Sequence, residues 1–264
     1  MNRAKALLAS MQEGKCKVVG GHVFFTDPSS TEALAMHGYD FIWIDAEHGP
    51  FDKHTLLMHV MAANAGGAAA FVRVAENNPA VIKPVLEMGI DGIIIPMIRT
   101  EEDAQKAIKA CLYPPEGVRG FGPRRANKYG QTPLATYLED ARSSFLRILQ
   151  IEHIQAVENI EAILAVQGLD AIIIGPNDLC ASIGRLGESM HPEVLELGKQ
   201  IISHAKMARI PVGVSIGPDE KAIGTWMKMD LDFISVGDDI SFLQQGVQRT
   251  LSMVHMQKRE KGAL

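Results

Sequence analysis

A pattern that returns four times constrains this chain more than anything else in it: "GYDFIWID" from Gly38, "GIDGIIIP" from Gly89, "GLDAIIIG" from Gly168 and "DLDFISVG" from Asp230. A glycine suits the left-handed position that ends a helix, and an apolar residue with an aspartate turns the chain. The Ile- and Val-rich run that follows is too uniformly apolar for a strand with one wet face. Such runs, alternating with helices, are parallel strands joined by crossovers. Four more lie between them, in "KVVGGHVFF", "AAAFVRV", "FLRILQIE" and "IPVGVSI", which makes eight strands. Helix starts are marked by Ser29 with Glu32, Asn78 before Pro79, Thr100 with Asp103, Pro192 and Pro218. Eight βα units in 264 residues predict a single (β/α)8 TIM barrel, α/β in class, over residues 1–264. The long connection from Tyr113 to Pro133, between the fourth and fifth strands, is expected to be a lid or a subunit contact.

With 47% hydrophobic and 22% charged residues the chain can fill such a core, and its net charge of -5 gives no attraction for nucleic acid or an anionic membrane. Small molecules are the expected ligands. Cys16, Cys111 and Cys180 stand far apart without a CxxC, which argues against a disulfide framework or zinc ribbon and fits a cytoplasmic protein. The opening segment "MNRAKALLASMQEGKC" reads as a short amphipathic helix rather than a secretory leader. No apolar run approaches the ~20 residues of a membrane span.

A barrel of this kind builds its active site at the C-terminal ends of the strands, and here those ends are polar. Strand two ends in Asp45, Glu47 and His48, strand three in Arg73, strand five in Gln150 and Glu152, and strand six runs into "GPNDL" with Asp178. Alternation sends Gln150 and Glu152 the same way, toward the barrel mouth. Adjacent strands sit ~4.8 Å apart, so Glu152 and Asp178 can meet on one hard divalent cation, Mg²⁺ or Mn²⁺. Arg73 adds fixed positive charge for a carboxylate or an oxyanion. Taken alone, Asp45 reads as a turn cap, Asp178 as a helix N-cap and Glu47 as a loop brace. Seven histidines, His22, His37, His54, His59, His191, His204 and His255, read as structural or solvent-facing, and His153 as a surface or lid residue. Arg119, Arg124 and Arg125 read as a solvated loop cluster. No lysine stands at a strand end for a Schiff base, and strand eight ends in Gly237, Asp238 and Asp239, which disfavours phosphate.

"IDAEHGP", "FVRV", "IIPMI", "YPPEGVRG", "QIE" and "GPNDL", in this order from about Leu7 to Leu251, closely resemble the HpcH/HpaI aldolases. The resemblance implies a barrel of the phosphoenolpyruvate/pyruvate type and a class II pyruvate aldolase, dependent on Mg²⁺, Mn²⁺ or Co²⁺, that splits 4-hydroxy-2-oxo acids reversibly into pyruvate and an aldehyde. It implies Glu152 and Asp178 as metal ligands, Arg73 as the group that steadies the enolate oxygen, His48 as acid-base group and Asp45 close to it. Gln150, Gly175, Pro176 and Asn177 fall in the substrate site, and Ser215 where a relative faces the acceptor aldehyde. Glu87 in "VLEMG" stands where relatives carry an aspartate that reaches a neighbouring subunit's histidine. Relatives also exchange the last helix and form hexamers, and a stripe of Leu243, Val247, Leu251 and Val254 gives this chain an apolar face for such a homo-oligomer. Two other functions compete: a lyase for CoA thioesters of the citrate/malyl-CoA type, and a catalytically silent ligand-binding barrel.

Overall fold

All eight apolar runs form strands in a computed structural model of the chain, which describes residues 3–260. The strands are β1 (Val18–Val23), β2 (Phe41–Asp45), β3 (Ala69–Arg73), β4 (Gly92–Ile95), β5 (Leu146–Ile151), β6 (Ala171–Ile174), β7 (Val212–Ile216) and β8 (Phe233–Asp238). All pair in parallel and close in sequence order, β8 back onto β1. The helices are α1 (Arg3–Gln12), α2 (Pro28–Met36), α3 (Lys53–Ala65), α4 (Pro79–Glu87), α5 (Glu101–Cys111), α6 (Leu134–Asp140), α7 (Ile154–Glu158), α8 (Ile160–Leu164), α9 (Pro176–Ser182), α10 (Pro192–Ala208), α11 (Glu220–Trp226) and α12 (Asp239–Glu260). Residues 1–2, at the start of the expected N-terminal helix, and 261–264, the end of the expected single domain, lie outside the described residues. Among the described residues no helix is long and apolar enough to cross a membrane.

Alternation along the strands separates two cores. Phe41, Trp43, Phe71, Ile94, Ile148, Ile173 and Phe233 point into the barrel, while Ile42, Ile44, Val72, Ile93, Leu149, Ile172 and Val214 point out beneath the helices. Aromatic rings fill the interior because the neighbouring strands carry glycine in register with them. A Cβ on Gly20 would stand 2.2 Å from the Phe41 ring, and one on Gly213 2.6 Å from Phe233. Helix α1 closes the bottom, adding Ala4, Leu7 and Met11 to the inner cluster.

The aspartate of the fourfold repeat does more than turn the chain. Each one precedes an even-numbered strand and accepts the backbone N–H that opens the odd-numbered strand before it. Asp40 takes Val19, Asp91 takes Ala70, Asp170 takes Arg147 and Asp232 takes Val212, at 2.8 to 3.0 Å. Gly38 and Gly168 end the preceding segments at φ +100° and +92°, where only glycine is free of strain. Asp170 also holds the Arg147 guanidinium through Nε at 2.7 Å and Nη2 at 3.0 Å, both partners largely buried. Asp170→Ala is therefore expected to destabilise the fold by about 3 kcal/mol, since it strands a buried charge and an N–H. Chemical denaturation checks this, and a loss below about 1 kcal/mol would show that the clamp is dispensable.

Asn78 caps α4 and Thr100 forms a capping box with Asp103 at α5, as expected. At α2 the cap is Asp27 rather than Ser29, because Pro28 takes the first helical position and Asp27 accepts the Ser29 N–H. Asp219, not Pro218, caps α11. The connection from Tyr113 to Pro133 is mostly exposed, Arg124 included, but Arg119 and Arg125 are not solvated as expected. Arg119 is buried beneath it, bound to Glu87 at 3.0 Å and stacked 4.4 Å over the Tyr113 ring, while Arg125 closes the end of α4 through the carbonyls of Met88 and Gly89.

Candidate active site

At the C-terminal mouth the inward parity of β2, β3 and β5 continues into charged side chains. The mouth encloses a cavity of about 250 Å³ lined by Asp45, His48, Arg73, Gln150, Gly175 and Asp178 among others. Pro176, Asn177 and Ser215 line it too, whereas Glu87 does not and nothing from 113–133 reaches it. Arg73 anchors the floor, 8% exposed in its side chain and 5.3 Å above the Trp43 ring. Its Nε donates to Asp45 Oδ1 at 3.1 Å, its Nη2 to Asp45 Oδ2, and its Nη1 lies 2.8 Å from Glu47 Oε2. Burial would raise the Asp45 carboxyl, but the Arg73 bonds and charge and the His48 N–H hold it below the usual range. The same pairing outweighs burial at Arg73 and keeps it firmly protonated.

Asp45 is thus the partner of Arg73. Toward His48 it acts only through the backbone, accepting the Glu47 and His48 N–H groups at 3.1 Å and so shaping the turn. The His48 ring is 62% exposed, and its nearest ionic neighbour is Glu47 at 4.0 Å.

Glu152 is 1% exposed and accepts the Met97 N–H at 2.7 Å and the Gln150 side-chain amide. Burial pushes its carboxyl up to about 7, reinforced by the charges of Asp178 and Glu47 and opposed by Met97 and Arg73. Asp178 lies in the first turn of α9, and the N-cap position belongs to Gly175. The helix-cap reading of Asp178 is therefore wrong. A Cβ on Gly175 would come within 2.8 Å of both Gln150 Nε2 and Glu152 Oε2, so a bare backbone is required there. Among the described residues no group of three His, Cys, Asp or Glu side chains is placed to hold a metal ion.

Glu87 binds Arg119 within the chain, and its buried Oε2 has no hydrogen-bond partner among the described residues. His153 caps α7, accepting the Gln155 N–H at 3.1 Å. Glu47 braces its loop through the ion pair with Arg73, and burial raises its carboxyl. One lining residue was not expected. His22 lines the cavity from β1, with no local sequence signal beyond its inward position on a buried strand.

A closed parallel barrel with a carboxylate-rich, arginine-anchored mouth at the strand C-termini is the arrangement of a barrel enzyme, and the sequence comparisons narrow the class. The chain belongs to the HpcH/HpaI aldolase/citrate lyase family, whose model matches residues 22–244. It is 35% identical over 249 residues to the 5-keto-4-deoxy-D-glucarate aldolase of Citrobacter koseri, covering 94% of each chain. Among solved structures it resembles a family protein from Burkholderia cenocepacia J2315 (TM-score 0.89, 30% identity, 97% of this chain and 100% of that one). It also resembles the HpcH/HpaI aldolase of Desulfitobacterium hafniense (TM-score 0.84, 26% identity, 91% and 93%). A citrate lyase β subunit shares only the fold, at 12% identity and TM-score 0.54. The chain is an aldolase, a carbon–carbon lyase, and the CoA-lyase and silent-barrel alternatives are the weaker readings.

Proposed function

We propose that this aldolase cleaves 4-hydroxy-2-oxo acids to pyruvate and an aldehyde with a divalent cation, Mg²⁺, Mn²⁺ or Co²⁺, held by Glu152 and Asp178. One observation carries the proposal: a fully buried carboxylate, Glu152, faces the charge of two others and is left short of positive charge by an Arg73 already engaged with Asp45 and Glu47. An oxygen-rich site of this kind fits a hard cation with open positions for substrate. When bound, the ion supplies Lewis-acid polarisation of the 2-oxo group. Arg73 holds the developing enolate oxygen, and Asp45 fixes the guanidinium in place. His48, on the exposed turn that Asp45 shapes, takes the proton from the C4 hydroxyl. The C3–C4 bond then breaks, the aldehyde departs, its electron pair stays as the enolate, and C3 is protonated to give pyruvate. Gln150, Gly175, Pro176, Asn177 and Ser215 line the substrate chain.

The substrate class follows the relatives, whose name specifies a deoxygenated oxo sugar acid. A coupled assay for pyruvate over a panel of 4-hydroxy-2-oxo acids tests it. Activity is expected to vanish with EDTA and to return with Mn²⁺ or Mg²⁺, and full activity after exhaustive chelation would remove the metal from the reaction.

The enzyme is also proposed to work as a homo-oligomer, a hexamer with α12 exchanged between subunits. Leu243, Val247, Leu251 and Val254 are each 46% or more exposed on that helix, and cover by a neighbour would remove this apolar stripe from water. Light scattering at micromolar concentration is expected to give a hexameric mass, and a monomer would contradict it.

A further inference from the structure

Strand β4 runs out through "IIIPMI" and brings no ionisable side chain to the mouth, yet the residue just past its end is strained. Met97 sits at φ +56°, in the left-handed region that residues other than glycine, asparagine and aspartate seldom occupy. Its side chain is exposed, so packing of the thioether does not account for the conformation. The neighbours impose it. Pro96 and Ile98 on either side are buried, the Arg99 and Thr100 N–H groups both donate to Asp103 Oδ2 at 3.1 Å, and Asn159 donates to the Arg99 carbonyl at 3.1 Å. Held in this way, the turn points the Met97 N–H back toward β5, where it donates to Glu152 Oε1 at 2.7 Å. We propose that Met97 is a positioning residue, whose left-handed turn supplies the fixed donor that aims the Glu152 carboxylate at a divalent cation. The assignment deepens the metal site proposed above and rests on it.

A carboxylate at the end of a glutamate side chain can rotate about its last bond, and a cation site needs it to keep one orientation. Glu152 is gripped at both oxygens, by the Met97 N–H at Oε1 and by the Gln150 side-chain amide at Oε2. These grips differ in kind. Gln150 is itself a side chain and lines the cavity, so its amide can turn toward a substrate. The Met97 donor belongs to the main chain and cannot turn without undoing the clamp around residues 96–100. Gly175 closes the far side, since its bare backbone passes so near that a Cβ would stand 2.8 Å from Glu152 Oε2. The ends of β4, β5 and β6 thus fix one carboxylate between them, and β4 does so without using a side chain. Backbone strain persists where the surrounding structure over-determines it, and it gathers at functional sites. Here the strained residue touches the proposed metal ligand directly.

In the left-handed region asparagine is tolerated and a β-branched side chain is not, so Met97→Asn keeps the turn and Met97→Ile opposes it. The measurement is Mn²⁺ affinity in the absence of substrate, followed by the electron paramagnetic resonance signal of the free ion, together with the melting temperature of the chelated protein. Met97→Ile is expected to weaken Mn²⁺ binding about tenfold, the usual cost of losing a group that orients a ligand, while Met97→Asn stays within twofold of the parent. A role in side-chain packing predicts the reverse order. Replacing the Pro96–Met97 amide by an ester, through nonsense suppression with the α-hydroxy acid analogue of methionine, deletes the donor alone. It is expected to match Met97→Ile and keeps the test decisive should that variant not fold. Affinity within twofold of the parent's in the ester or in folded Met97→Ile would overturn the assignment and leave the metal site standing, whatever the melting temperature, as would an equal loss in Met97→Asn. If the parent binds no Mn²⁺, the metal reading itself fails, and the role of Met97 with it.

Discussion

Glu152→Gln is expected to lower aldol cleavage on the order of 10³-fold, because Lewis-acid polarisation is worth several kcal/mol and each 1.36 kcal/mol is tenfold in rate. The same substitution is expected to stabilise the metal-free protein. Below its ordinary range Glu152 is protonated whether folded or unfolded, and it costs nothing. Between its ordinary value and about 7 the unfolded chain has ionised while burial and the facing Asp178 and Glu47 charges keep the folded carboxyl protonated, so rising pH favours unfolding. Chelated parent should therefore lose stability relative to the glutamine variant from about pH 4.5 to about pH 7, by on the order of 3 kcal/mol at most. Added Mn²⁺ should raise the melting temperature of the parent but not of the variant. A chelated variant that is less stable than the chelated parent at pH 8 would mean that Glu152 is a structural group, held by the Met97 N–H and Gln150.

Arg73 and His48 are expected to fail differently. Arg73→Ala removes the proposed donor to the enolate oxygen and leaves Asp45 buried without its partner, so cleavage should fall by ~10²–10³-fold. His48→Ala removes the proposed base, an exposed ring, so cleavage should fall by ~10²–10⁴-fold with the fold and pyruvate binding kept. Near-parental cleavage in the His48 variant would place the base elsewhere on the mouth.

Much of this was legible in the sequence because the fold imposes simple patterns. Strands buried on both faces leave uniform apolar runs, and polar residues at their ends stand out against them, as Asp45, Arg73 and Glu152 do. What escaped depends on neighbours distant in the chain. The repeat aspartates are recognisable as turn residues, but their partner N–H groups lie 20 to 23 residues earlier on another strand. Arg119 looks like one basic residue of a surface loop, and only the fold brings it to Glu87, 32 residues away. His22 looks structural beside two glycines, and its place at the mouth arises because β8, 213 residues on, closes against β1. Asp45 meets His48 only at its backbone N–H, and the partner it serves is the guanidinium across the strand pair, in register with it as Arg73.

The central claim is that the Arg73 and Glu152 side of the mouth generates a pyruvate enolate. Proton NMR of pyruvate in D₂O with the enzyme and Mn²⁺-free Mg²⁺ buffer, and no aldehyde, tests it most directly. The account predicts steady loss of the methyl signal, stopped by EDTA, nearly abolished in Arg73→Ala and retained in His48→Ala. A methyl signal that stays constant with the active parent enzyme, or exchange that persists undiminished in Arg73→Ala, would contradict it.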